Sequence, residues 1–257
     1  MAVFADTRFL FYSDVEQTQK MQNHELVGRL AGFLWRSVPD ERLLELASQG
    51  KPMKDIELNA EVQRMLADSR AERFIADFAY SWTGLPKLDQ IAINPNYYRW
   101  WNPKYKDYIR QEPVEFMKTL LREDLSCLNL LSSEFMVVND VLAKYYGVPL
   151  PESGHRFSRV PAIEGRGGIL TQAAFLLSHS DGEDAHAVNR GVWIRGRLLG
   201  DPPRDPTPEV PALSDLDEAN PDAAGLSTKE RLSIHRKGIC LDCHADIDPW
   251  GIAMESL

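Results

Sequence analysis

HELVGRLAGFLWRSVPDERLLELASQG, residues 24–50, decides the fold class. Leu26, Val27, Leu30, Phe33 and Leu34 recur at helical intervals and predict one apolar stripe. Pro39 suits the first turn of a second helix that Gly50 ends. The pattern continues to about Leu88. Leu58, Val62, Met65 and Leu66 form a third stripe, and Asp68 suits an N-cap before SRAERFIADFAYSW. Phe74, Ile75, Phe78 and Trp82 share one side there and read as helix–helix core rather than as a cofactor pocket.

Working outward, INPNYYRWWNPKY (93–105) is broken by two prolines and reads as an ordered aromatic loop or binding lip. Helical patterning resumes at FMKTLLRED and VVNDVLAKYYG, and Gly147 and Pro149 stop the latter. HRFSRV reads as a short strand, ILTQAAFLLS and NRGVWIRGRLLG as helices. The proline-rich run 201–222 reads as a semi-extended connector. Ser227 and Glu230 predict a capping box opening TKERLSIHR. The expectation is an all-α chain with long proline-rich and irregular loops. Residues 1–150 form its helical part and residues 151–257 a smaller C-terminal part.

The 257 residues are 44% hydrophobic and 26% charged, as in a chain that buries a core. A net charge of −9 opposes nucleic-acid binding and electrostatic membrane anchoring, and weakly favours a basic partner surface. No apolar run reaches the ~18 residues of a membrane span. The opening MAVFADTRFLFYSDVE has no basic region followed by an apolar one, so it does not read as a signal peptide.

Three cysteines are too few for a disulfide scaffold. Cys127, in LSCLNLL, reads as a small buried hydrophobe. Cys240, Cys243 and His244 form C-x-x-C-H, the signature of covalent c-type haem attachment. Two thiols three residues apart on a helical turn match the two vinyl groups of the macrocycle, and the adjacent imidazole is the proximal iron ligand. Two other readings compete: a zinc site with His235 as fourth ligand, and a redox or structural cysteine pair. By residue type alone, His235, His179, His186 and Met136 are weak candidates for the distal iron position; Met254 stands too near His244 in sequence. The acidic pairs Glu183/Asp184 and Asp246/Asp248 read as solvated, with Asp248–Pro249 as a turn after the haem helix.

The stretch from GGILTQAAFLLSHS through NRGVWIRGRLLGDPP to LSTKERLSIHRKGICLDCHADIDPWGIAME resembles the planctomycete-type cytochrome C domain. Arg190, Gly191, Trp193, Leu198 to Pro203, His235, Cys240 to His244, Asp248, Pro249, Gly251 and Glu255 carry the resemblance. The upstream helical stretches resemble the domains that precede this cytochrome in multidomain proteins. The resemblance implies a cytochrome-c-like C-terminal part, one covalent haem c, and a periplasmic or otherwise exported parent protein. It also implies further domains beyond this chain and an unidentified redox partner protein. ADTRFLFYSDVE at one end and MESL at the other read as interior sequence, so the chain is expected to be a fragment. It reads as an electron-transfer domain more readily than as a catalyst, since no G-x-S-x-G, H-E-x-x-H, P-loop or Rossmann fingerprint occurs. The alternatives are a haem enzyme, peroxidase-like or acting oxidatively on carbohydrate, and a zinc-binding or structural module.

Overall fold

Residues 23–49, 53–152, 154–204, 226–235 and 239–256 are described in a computed structural model. Most of the proline-rich connector, and Gly50, lie outside these. The described residues are mostly helical, with one two-stranded sheet, so the all-α expectation holds. They divide into two compact units, one ending at Phe74 and the other beginning at Ile75.

The first unit holds α1 (Asn23–Leu34), α2 (Glu41–Ser48), α3 (Asp55–Ala67) and the start of α4 (Ala71–Trp82). Its core is Val27, Ala31, Leu34, Trp35, Leu43, Ala47, Met65 and Ala71. The buried stripe of α1 runs Val27, Ala31, Leu34, Trp35, whereas Phe33 is exposed. Pro39 stands one residue before the N-cap: Asp40 caps α2 by accepting from Leu43 N–H at 3.1 Å. Asp68 closes α3, and its Oδ1 accepts from Arg70 N–H at 2.8 Å just before α4, as the capping expectation has it. The Trp35 ring is buried, its Nε1 donates to the Met65 carbonyl at 2.9 Å, and the Arg70 guanidinium lies 3.4 Å above it. Arg64 bridges Asp40 and buried Glu61, and hydrogen bonds from Arg70 hold the Asp68 carboxyl down at about 2.

In the second unit α5 (Leu85–Gln90) leads to α6 (Tyr105–Arg122), β1 (Phe135–Val138), α7 (Asp140–Tyr146) and β2 (Ser158–Pro161). β1 and β2 pair antiparallel, with Met136 opposite Val160. The β2 strand falls in the segment read as extended; β1 was not expected. All four β1 residues are buried, so no alternation marks the strand. Leu85, Leu88, Ile109, Val138, Leu142 and Ala174 form the core. α6 extends eleven residues upstream of FMKTLLRED and runs through buried Pro113 despite the lost hydrogen bond. Gly147 ends α7 in the left-handed conformation, φ 69°.

The chain continues through α8 (Ala173–Ser178) and α9 (Ala187–Trp193), which widens into a π-helical turn over Ile194–Leu198. α10 (Thr228–His235) opens with the expected box: Glu230 accepts from Ser227 N–H at 2.9 Å, and Ser227 Oγ accepts from Glu230 N–H at 3.4 Å. α11 (Ile239–Ile252) follows and packs across α9.

Candidate functional site

The C-x-x-C-H residues open α11, with Cys240 second in the helix. Helical spacing brings residues 240, 244 and 248 onto one side. Cys243 is exposed and forms no disulfide. The His244 side chain retains 15% of its exposure and Asp248 none. His244 Nδ1–H donates to Asp248 Oδ1 at 2.9 Å, which places the ring's lone pair on Nε2. The side chains of Cys240 and His235 lie outside the described set.

Asp248 is buried because α9 and α11 cross at backbone contact. A Cβ at Gly191 would collide with the Ile247 carbonyl, and one at Gly251 with the Ala187 carbonyl. Arg190 clasps the far end of α11, donating to the Met254 carbonyl at 3.3 Å and to Glu255 Oε1 at 3.2 Å. Trp193 Nε1 donates to the Trp82 carbonyl at 2.8 Å. Arg195, on the π turn, reaches Asp246 of α11 at 3.6 Å. The residues that carry the cytochrome resemblance therefore build the seating of one helix.

Three sequence readings are corrected here. Asp248 is fully buried, not solvated, and Asp248–Pro249 is not a turn, since α11 continues to Ile252. Cys127 is exposed, at the start of a 3-10 turn, instead of buried. Asp246, Glu183 and Asp184 are exposed as expected.

His179 ends α8, is buried, and hydrogen-bonds the Phe175 carbonyl through Nδ1 at 2.8 Å; burial pulls its pKa down to about 4. Its ring packs on Phe175 and Trp193. His186 stands at φ 41° before α9 and pairs with Asp181 through Nε2 at 2.8 Å. Met136 is buried in β1 and Met254 beyond α11. Among the described residues, no three His, Cys, Asp or Glu side chains gather as a metal site. The residue that sequence reading missed is Asp248. Its signal was the i, i+4 spacing from His244, obscured by Pro249.

The described parts fit a covalently held haem. They comprise an accessible thiol and an imidazole oriented by a buried carboxylate, with the ligating lone pair set on the other ring nitrogen.

Residues 21–148 match the family described as "PSD4: Protein of unknown function (DUF1592)". Residues 166–257 match that described as "PSCyt3: Protein of unknown function (DUF1588)". Searches of curated proteins and of solved structures each return no significant match. Two family models thus match successive stretches of the chain, and their descriptions assign no function.

Proposed function

We propose that this chain binds one covalent c-type haem through Cys240, Cys243 and His244 and serves in electron transfer within a larger exported protein. The observation that carries the reading is the C-x-x-C-H run at the start of α11 with His244 Nδ1 held by buried Asp248. The name PSCyt3 for the family matching 166–257 supports a cytochrome-like domain. The two matched ranges, ending at 148 and starting at 166, also support a modular division into 1–150 and 151–257.

Bound at this site, haem supplies a one-electron couple. The protein's part is attachment, orientation and tuning. The Cys240 and Cys243 thiols would form the thioethers and His244 the proximal bond. Asp248 fixes the imidazole tautomer and makes the ring a stronger donor, which favours the oxidised iron and lowers the reduction potential. On the distal side His235, His179 and His186 stay as weak candidates by residue type. His179 is neutral at physiological pH, as an iron ligand must be. The periplasmic or exported location, the redox partner and the further domains belong to the same proposal.

The test is coexpression with a periplasmic haem-maturation system, followed by a pyridine haemochrome assay and absorption spectra. One haem per chain, low-spin and inert to cyanide, is expected. A chain that takes up no haem contradicts the proposal. A high-spin haem that reacts with peroxide would instead make it an enzyme.

A further inference from the structure

The second unit contains a cavity of about 190 Å³ between the aromatic loop after α5, α7 and the loop that joins α8 to α9. Its walls include Trp100, Trp101 and Tyr145, with ring centroids of Trp100 lying 6.2 Å from Trp101 and 5.9 Å from Tyr145. Trp100 is 60% exposed, an unusual state for the largest apolar side chain. Charged groups of both signs join these rings: exposed Glu183 and Asp184, with Arg166 and buried Arg190.

Three observations mark the cavity as built for a ligand. The rim is tied across the opening: Tyr98 Oη–H donates to the Glu183 carbonyl at 2.7 Å, and Asn94 N–H donates to the Gly182 carbonyl at 3.1 Å. The loop itself is organised by Asp181, whose Oδ1 accepts from Glu183 N–H and Asp184 N–H at 2.8 and 2.7 Å. The Arg190 side chain, part of the cavity wall, is more than nine-tenths buried, and among the described residues its Nε–H has no hydrogen-bond partner.

Size and charge select the ligand class. A cavity of about 190 Å³ lies below the ~300–1,000 Å³ of drug-sized sites and holds a single ring. An aromatic cage alone would suit an organic cation, but Arg166 and Arg190 oppose one. Glu183 and Asp184 oppose an anion. A neutral polyhydroxylated ring satisfies all of them: its hydroxyls donate to the carboxylate and accept from the guanidinium, and its C–H face packs on an indole. We propose that this cavity binds one neutral pyranose unit of a saccharide, stacked on Trp100 and hydrogen-bonded by Glu183 and Arg190. None of the described lining residues belongs to Cys240–His244, so the proposal is argued without the haem.

The test is titration of the full chain with a methyl hexopyranoside series and neutral oligosaccharides, read by calorimetry and tryptophan fluorescence. Glycine betaine and benzoate serve as the charged comparisons. Saturable binding of at least one sugar is expected, weakened about tenfold by Trp100→Ala and also weakened by Glu183→Gln. Both side chains are at the surface, and an unchanged circular dichroism spectrum confirms that each variant folds. If Trp100→Ala does not fold, Glu183→Gln alone decides. Absence of saturable sugar binding, sugar binding indifferent to the folded variants, or tighter binding of betaine or benzoate than of every sugar overturns the proposal.

Discussion

Asp248 decides how His244 behaves. Its carboxylate, fully buried, holds Nδ1 at 2.9 Å. Asp248→Asn keeps the shape of the contact but weakens the acceptor, so the haem-loaded variant should show a more positive midpoint potential, by on the order of tens of millivolts. Potentiometric titration checks this; an unchanged potential with the haem retained would show that Asp248 does not tune the ligand. Glu112 makes a second residue-scale case. Buried in α6 and bonded by Tyr146 Oη–H at 2.7 Å, its carboxyl is pushed by burial up to about 7 from an ordinary 4.5. The folded state then holds this proton more tightly than the unfolded state. Its stabilising effect is full below pH 4.5 and is lost as pH rises through about 7. His179 works in the opposite sense, because burial lowers it to about 4: its contribution is present above pH 6.5 and is lost as pH falls toward 4. Glu112→Gln should remove the alkaline loss, gaining on the order of 3 kcal/mol over the parent at pH 8 relative to pH 4. Urea denaturation at the two pH values measures it, and parallel curves for parent and variant would refute it. At this scale the attachment residues were legible because C-x-x-C-H is written consecutively. Glu112 was not, since nothing local announces that a carboxylate will be buried, and at Asp248 the i, i+4 spacing from His244 was obscured by Pro249.

The elements show where local rules yield to packing. Pro113 and Pro249 both lie inside helices, so breaks expected from proline are bridged by segments whose neighbours are buried. In α1 the stripe was read correctly at Val27, Leu30 and Leu34 and not at Phe33, which is exposed while Ala31 is buried. Strand β1, buried along its whole length, carries no alternation that could separate it from a helix. The α9–α11 crossing gives the most direct element-scale prediction. Gly251 admits the Ala187 carbonyl where a methyl group would sit, so Gly251→Ala must push the helices apart. We expect a loss of about 3 kcal/mol and faster amide exchange in α11, whereas a control such as Gly28→Ala, with open space around its added methyl, should cost nothing of the kind. Denaturation with equal midpoints for Gly251→Ala and the parent would contradict the crossing.

For the whole molecule, the helical class followed from periodicity, because helical stripes repeat over most of the chain. The division at Phe74–Ile75 did not, because α4 runs through it without any change in composition. The net charge of −9 bears on encounter rather than fold. Electron exchange with a basic partner should slow as salt screens the attraction beyond about 8 Å at physiological ionic strength. Stopped-flow rates across a salt series check this, and a rate independent of salt would argue for an uncharged docking face. The central claim is the haem itself, and intact mass followed by peptide mapping tests it most directly. Expressed with a periplasmic haem-maturation system, the chain should carry one haem on the peptide containing Cys240 and Cys243, and Cys240→Ala/Cys243→Ala should carry none. A parent chain of unmodified mass, or an adduct that survives loss of both cysteines, would contradict it.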